Sequence, residues 1–392
     1  MNNLERIRQF ATITDRQKDI LNTDRIMTYD YVDNTDVLVA YGGYDRNKTY
    51  GWQELLEINA RAFRGIGLDM TRSVYDPVHH WMRGKVDNWI RFLGVDQDSW
   101  EVEQGGETAW IAKRPFSTLE ELKKFLPKMP DRNAIREWYM PFMGNILKTM
   151  EDQDVVYIGA VEGPLCDAYT FVDLELFSLL IYDAPDVVKH IIDCCGVYSE
   201  TLAQAYTELS GAAPIQFMGE DIAGSTGPIF RPDFVEESVL HWWKRIAAPI
   251  RNQDGIFIFH TDGQYGKLLD LILGKLGAEG LNPIERNRCN DIFSIYEQYP
   301  KVSYFGNVCC AVTLPYGNRY DVEDETLELI EKIGPTGRIC IGSSSEVHEQ
   351  IPLINIETMY AAVHEYGTYP IDIDRIQRRR SEISSHLATR KM

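Results

Sequence analysis

The stretch Phe257-Ile258-Phe259-His260-Thr261-Asp262-Gly263 is an apolar run that ends abruptly in a histidine and an aspartate. Such a run, bounded by a turn residue, is typical of a fully buried strand. Helical spacing follows at residues 267–273, and residues 280–283 form a second short strand. A strand, a loop, a helix and another strand within about 30 residues make one βαβ unit. Folds built from such units carry their chemistry at the carboxyl ends of the strands, where the histidine and the aspartate lie.

The same alternation continues through most of the chain. With the two strands above, six are predicted, each followed by a helical segment, which implies a parallel sheet with right-handed crossovers. The four other strands are residues 155–159, 215–219, 302–306 and 338–342. The clearest helices are residues 171–206, interrupted near Ala184-Pro185, and residues 232–250, 323–333 and 355–366.

The first 150 residues complete the fold. Residues 52–66 read as a helix and 67–70 as the strand after it, and an earlier strand is expected near 25–31 or 37–41. Two such strands bring the total to eight, so we predict that residues 1–392 form a single (β/α)8 TIM barrel in the α/β class, with an N-terminal extension. Short alternating pieces at 100–103 and 108–112, around Gly105-Gly106, predict a β-hairpin excursion within residues 89–127.

Composition excludes several classes of function. The formal net charge of −19 argues against nucleic acid as a partner, because that binding depends on Lys and Arg neutralising phosphates. No run approaches the roughly 18 apolar residues of a membrane span, and no secretory signal is visible at the N-terminus. Seven cysteines without framework spacing are typical of a reduced, cytoplasmic compartment. The sequence leaves open whether the protein forms an oligomer.

Polar residues stand directly after the predicted strands, and barrel geometry gathers such positions at one mouth. Carboxylates and an imidazole that converge there make a candidate general acid/base or metal site. Each residue also has a simpler interpretation, such as a helix N-cap charge for Glu162 or a turn residue for Asn307. The candidates are Glu162, Glu220, Asp221, His260, Asp262, Glu285, Asn307 and the run Ser343-Ser344-Ser345.

Other catalytic signatures are missing from the sequence. There is no glycine-rich dinucleotide fingerprint, no phosphate loop ending in Gly-Lys-Ser/Thr, no Gly-x-Ser-x-Gly elbow and no Cys-x-x-Cys. NAD-dependent, ATP-dependent and serine-hydrolase functions therefore lack support.

The chain resembles the uroporphyrinogen decarboxylase superfamily, whose members are single (β/α)8 barrels. The resemblance covers roughly residues 140–370, while residues 1–110 match poorly. It rests on Gly163-Pro164-Leu165, residues 224–228, Phe259-His260-Thr261-Asp262-Gly263, residues 280–285, Phe305-Gly306-Asn307, residues 351–356 and residues 366–370. Residues 113–122 also resemble the family's entry to its early helices.

Two chemistries occur in that superfamily. The haem-pathway decarboxylases carry an N-terminal motif close to Arg-Gln-Ala-Gly-Arg-Tyr that holds the propionates of the substrate, and no such string occurs here. The nearest basic segments, residues 70–73 and 81–84, depart from it. The other branch consists of methyltransferases that pass methyl groups between small donors, a corrinoid protein and a thiol.

Several of these methyltransferases bind zinc through His-x-Cys and a later cysteine. In this sequence His260 matches the histidine, Asp262 stands where the first cysteine would be, and Ser345 aligns with the later cysteine. The thiolate zinc site is therefore absent as such. Zinc also accepts carboxylate oxygen atoms. A harder site could use residues from the set Glu220, Asp221, His260, Asp262 and Glu285.

The resemblance implies an enzyme that transfers a methyl group from a small methylated donor to a corrinoid protein, or from that protein to a thiol. A uroporphyrinogen decarboxylase-like decarboxylase and a non-catalytic ligand-binding barrel are the alternatives. We assign catalysis to His260, Asp262 and Asp221, with zinc as the candidate metal on His260, Glu220 and Asp262. Substrate binding is assigned to Glu162, Glu285, Asn307 and Ser345.

Overall fold

Eight parallel strands form the centre of the protein in the computed structural model, which describes residues 1–12, 23–79, 81–94, 100–105, 108–285 and 290–390. The third strand is split in two at Ile158. The strands are β1 (Met27–Asp30), β2 (Met70–Thr71), β3 (Val156–Tyr157 and Gly159–Glu162), β4 (Ile215–Gly219), β5 (Ile256–His260), β6 (Gly280–Asn282), β7 (Ser303–Val308) and β8 (Ile339–Ser343).

The split strand closes the sheet into a barrel. Its first segment pairs with β2 and its second segment pairs with β4. The other strands pair in parallel in the order β4, β5, β6, β7, β8, β1 and β2, so that the sheet returns to its starting strand. Every strand therefore has two partners and no edge is left exposed. The prediction of a (β/α)8 barrel is confirmed.

Helices cover the outside of the barrel between successive strands, and apolar side chains fill the layer between them and the sheet. No helix within the described ranges is long and apolar enough to cross a membrane. The α-helices are Asn3–Ala11, Thr35–Val37, Trp52–Ile66, Trp81–Asn88, Leu119–Leu122, Arg132–Glu151, Pro164–Val172, Leu174–Asp183, Pro185–Thr207, Pro232–Arg251, Ile292–Gln298, Thr313–Tyr316, Arg319–Lys332, Leu353–Tyr366 and Ile373–Arg390. Short 3-10 or π segments are Leu38–Gly42, Trp89–Leu93, Gly266–Leu268, Asp270–Lys275 and Gly334–Thr336.

The N-terminal extension closes the bottom of the barrel. Helix Asn3–Ala11 starts with a capping box at Asn2 and buries Leu4, Ile7 and Phe10. These side chains join a cluster made of the inward-facing residues of the strands. The ring of Phe10 lies edge-on to that of Phe305, with 6.1 Å between centroids. Because this end is plugged, access to the barrel interior is from the carboxyl ends of the strands.

Some local predictions need correction. Of the two places considered for the first strand, residues 25–31 contain β1, whereas residues 37–41 are helical because the side chain of Asn34 caps a helical turn there. The break expected near Ala184-Pro185 is confirmed, since one helix ends at Asp183 and the next begins at Pro185. The part before that break, expected as one helix from residue 171, instead belongs to two helices, Pro164–Val172 and Leu174–Asp183. The hairpin excursion is confirmed as an antiparallel pair, Glu101–Gly105 with Thr108–Lys113, and its tip at residues 106–107 lies outside the described part of the chain.

Candidate active site

His260 reaches the mouth of the barrel because of the two-residue repeat of β5. Ile256 and Ile258 point into the barrel, whereas Phe257 and Phe259 face the helices. Because side chains alternate along a strand, His260 points into the barrel as the two isoleucines do. It is the last residue of β5. Its side chain is 8% exposed, so the imidazole forms part of the lining of the mouth.

Asn282 orients this imidazole. The two residues are directly opposite one another in the register of β5 and β6. The Asn282 side chain donates through Nδ2 to the carbonyl oxygen of Phe305 at 2.8 Å, which leaves Oδ1 facing His260 Nδ1 at 2.7 Å. An amide oxygen only accepts, so Nδ1 carries the hydrogen, and Nε2 of the neutral ring keeps its lone pair for a ligand.

Two carboxylates lie in front of Nε2. Asp221 Oδ1 is 3.6 Å away and Asp262 Oδ1 is 3.9 Å away. Asp221 follows the end of β4, whereas Asp262 lies two residues beyond His260, where Gly263 turns the chain with φ of +79°. The backbone N–H of Asp262 donates to Asp221 Oδ1 at 3.3 Å, which links the two loops. We call Asp221, His260 and Asp262 the mouth triad.

The environment of Asp262 disfavours its charged form. Its pKa is raised to about 6, chiefly by burial and also by the carboxylates of Asp221 and Glu285, while His260 acts in the opposite direction. Its Oδ1 atom is buried and accepts no hydrogen bond from the described residues. A buried carboxylate oxygen without a donor normally costs free energy. A proton or a cation at this point would remove that cost.

The mouth triad fits a metal ion. One ligand atom from each residue lies within 4.8 Å of the other two. Zinc with bonds of about 2.0 Å would hold tetrahedral ligands about 3.3 Å apart, close to the separations measured from Nε2. One imidazole with two carboxylates is a donor set that zinc accepts, and three protein ligands leave one position open, as in catalytic zinc sites.

Glu220, assigned to the metal from sequence, lies apart from the mouth triad. Its carboxylate accepts from the backbone N–H groups of Leu165 and Cys166 and from the indole of Trp243 at 2.8 Å. It therefore occupies the N-terminus of helix Pro164–Val172, a favourable place for a negative charge. Burial raises its pKa to about 8. The structure thus separates Glu220 from its neighbour Asp221.

The residues assigned to substrate binding stand at or just after the carboxyl ends of β3, β6, β7 and β8. Glu285 accepts from the backbone N–H of Gly263 at 3.0 Å and so holds the loop that carries Asp262. Asn307, buried with φ of +87°, accepts from Ile284 N, and its Nδ2 has no partner within the described chain. Ser345 lies partly buried after β8, next to Glu346, whose charge also raises the pKa of Asp262.

Glu162, His260 and Phe217 lie around the α-carbon of Gly219. A Cβ atom built on Gly219 would lie 4.0 Å from both Glu162 Oε2 and His260 Cδ2, and 3.5 Å from the ring of Phe217. Glu162 is also held by Lys85 Nζ at 3.3 Å. Because position 219 is glycine, no side chain stands between Glu162, His260 and the ring of Phe217.

Two residues of this mouth were missed by the sequence analysis. Asn282 was quoted only as part of a matching segment, although its place opposite His260 follows from the pairing of two short strands. Arg72 was considered only as a departure from an arginine motif, although a lone basic residue directly after a predicted strand is itself a signal.

Two surface recesses of about 400 and 500 Å³ lie at the other end of the barrel, and none of the mouth residues lines them.

A protein-family model described as uroporphyrinogen decarboxylase (URO-D) matches residues 100–366, about two thirds of the chain. The chain belongs to the URO-D family. The match includes β3 to β8 and therefore every residue of the mouth triad. No curated protein matches this URO-D family chain in sequence.

Among solved structures, a methyltransferase from Methanosarcina mazei is similar to this URO-D family chain, with a TM-score of 0.67 and 18% identity. The similarity covers 91% of this chain and 99% of that one, so the two share the fold over nearly their whole length. A crystal structure of D-psicose 3-epimerase, obtained in the presence of D-fructose, is similar only at a TM-score of 0.35 and 10% identity, over 65% and 85% of the two chains. That second similarity is too weak to support an argument.

Proposed function

We propose that this URO-D family member is a methyltransferase that removes a methyl group from a small methylated donor and passes it to a corrinoid protein. The observation that carries the proposal is the mouth triad: one imidazole with a fixed tautomer faces two carboxylates, one of which has a buried oxygen without a donor. The structural similarity to a methyltransferase supports this choice within the family.

The reaction requires stabilisation of the leaving group. When a methyl–oxygen or methyl–nitrogen bond breaks, the heteroatom keeps the bonding electron pair and must be stabilised by a proton or a Lewis acid. Asp221, His260 and Asp262 would hold zinc, which when bound supplies that Lewis acidity. Asn282 accepts a hydrogen bond from Nδ1 of His260 and so directs Nε2 towards the two carboxylates, and Glu285 holds the loop of Asp262 in place.

The nucleophile comes from outside this chain. The thiol of Cys166, whose pKa is influenced by Asp221, is buried, and burial raises that pKa well above its ordinary value. A buried thiol of this kind stays protonated and is a poor nucleophile. Reduced cobalt of a corrinoid protein would supply the electron pair that accepts the methyl group, so this chain only binds the donor and activates its leaving atom.

Decarboxylation of a tetrapyrrole has less support. The arginine motif of the decarboxylases is absent, and the residues after β1 are Tyr31, Val32 and Asp33, none of them basic. Asp33 lies near a second carboxylate, that of Glu346, and burial together with that carboxylate raises the pKa of Asp33 to about 7. A substrate with many carboxylates would meet like charge there, and like charges at close range cost free energy.

Methyl transfer to free reduced cobalamin tests the proposal. The purified protein is incubated with a panel of methyl ethers and methylamines, and methylcobalamin is followed by its absorbance. We expect transfer from at least one donor, and a loss of at least about 100-fold in His260→Ala, the effect of removing a positioned acid, base or ligand. His241→Ala, at an exposed histidine on helix Pro232–Arg251, is the matched control.

Three outcomes would refute the proposal. Transfer that continues at the wild-type rate in His260→Ala would remove the mouth triad from the chemistry. Release of carbon dioxide from a carboxylic acid, without methyl transfer from any donor, would favour the decarboxylase instead. Binding of donors with neither reaction would support a barrel that only binds its ligand.

A further inference from the structure

Arg72 projects into the mouth from the end of β2 and is held between two aromatic rings. Its Cζ atom lies 4.1 Å from the ring centre of Phe217 and 4.5 Å from that of Tyr31. Its Nε donates to the hydroxyl of Tyr29 at 3.1 Å. The two rings and this hydrogen bond fix the plane of the guanidinium, because a cation over two ring faces is attracted to both.

The terminal nitrogens of Arg72 have no partner in the described part of the chain, neither a hydrogen bond nor a carboxylate within 4 Å. This is unusual for a chain with 59 acidic residues, in which other inward arginines are paired. Arg25 holds Asp69 through both terminal nitrogens, and Arg251 holds Glu279. An enclosed arginine is rarely left unpaired in a protein.

The guanidinium and the mouth triad share one floor. The ring of Phe217 that contacts Arg72 also lies 5.1 Å from the imidazole of His260, centroid to centroid. Gly219 places no side chain between this ring, His260 and Glu162. The ring of Phe217 therefore brings the guanidinium of Arg72 and the imidazole of His260 into one part of the mouth, where a small molecule can contact both.

We infer that Arg72 binds a carboxylate of the substrate, so that the methyl donor is a small methylated carboxylic acid whose heteroatom lies at the mouth triad. The flat fork of a guanidinium matches a carboxylate with two parallel hydrogen bonds. A singly charged anion suits this mouth better than phosphate, because Glu162 and Asp33 already contribute negative charge near Arg72. The statement that this ligand carries a methyl group rests on the proposed function, whereas the statement that Arg72 binds its carboxylate does not.

Calorimetric binding to purified protein tests the inference without any methyl transfer. The carboxylate probes are the three methoxybenzoates, methoxyacetate and N,N-dimethylglycine, and methoxybenzene is the uncharged comparison. The variants are Arg72→Met, which keeps apolar packing between the rings, and Arg72→Lys, which keeps the positive charge but lacks the paired N–H donors of the guanidinium. Arg375→Met, at a half-exposed arginine paired with Glu365, is the control.

We expect wild type and Arg375→Met to bind at least one carboxylate probe more tightly than methoxybenzene. Arg72→Met should weaken that binding by about 10- to 100-fold, as expected for losing charge-assisted hydrogen bonds, and Arg72→Lys should lie between. The thermal melting of each variant is measured to verify folding.

Equal affinity of Arg72→Met and wild type for every carboxylate, or no binding of any carboxylate by wild type, would overturn the inference. Binding that depends on Arg72, without methyl transfer to cobalamin from any donor, would leave the carboxylate site intact and refute the proposed function. The two failures are thus distinguishable.

Discussion

Replacement of Asn282 by alanine tests whether the tautomer of His260 matters. Asn282→Ala removes the acceptor that lies 2.7 Å from Nδ1 while leaving His260, Asp221 and Asp262 in place. Without it the ring can turn and can place its hydrogen on Nε2. Loss of such a partner behind a metal ligand typically weakens metal binding by 10- to 100-fold, about 1.4 to 2.7 kcal/mol.

The assay is zinc binding by competition with a chromogenic chelator, with unfolding by urea measured in parallel. Asn355 offers a matched control, since it is equally buried and donates two hydrogen bonds, to the carbonyl oxygens of Leu314 and Gly317, away from the mouth. Both variants should lose about 1–3 kcal/mol of stability. Only Asn282→Ala should lose zinc affinity; equal affinity in the two variants would refute the assigned role of Asn282.

Two further predictions concern the barrel itself. Phe10→Ala should cost about 3–5 kcal/mol in urea unfolding, because the ring is buried against Phe305 at the plugged end; a loss below about 1 kcal/mol would show that the N-terminal helix does not close the barrel. Burial raises the pKa of Asp30 to about 6, although Ser343 and Tyr360 donate to it. The folded chain therefore takes up this proton at a higher pH than the unfolded chain, and wild type should gain stability relative to Asp30→Asn as the pH falls from about 7 to 4. A difference in unfolding free energy that is constant with pH would contradict the shift.

Several strands of the barrel could be predicted because they are short apolar runs bounded by turn residues. Residues 215–219 and 256–260 are of this kind. The segment 37–41 was considered as a strand because a short apolar run fits a strand and a helix equally well. It is helical because the side chain of Asn34 caps the turn that begins there. The position of such a cap shows only when the backbone is known.

The candidate site could be predicted only in part. Asp221 and His260 could be chosen because each stands at or just after the end of a buried strand. The sequence did not separate Glu220 from Asp221, because the two-residue alternation stops where β4 ends at Gly219. The places of Asn282 and Arg72 depend on register and on contacts between distant strands. A pattern within one segment does not contain that information.

Metal content is the most direct test of the central claim, that Asp221, His260 and Asp262 form the reactive centre of this barrel. The protein is loaded with zinc, dialysed at neutral pH and analysed by mass spectrometry for bound metal. We predict one zinc per chain in wild type and less than a tenth of that in His260→Ala and Asp262→Ala, with His241→Ala unchanged. Wild-type protein that retains no zinc, or variants that retain as much as wild type, would contradict the account.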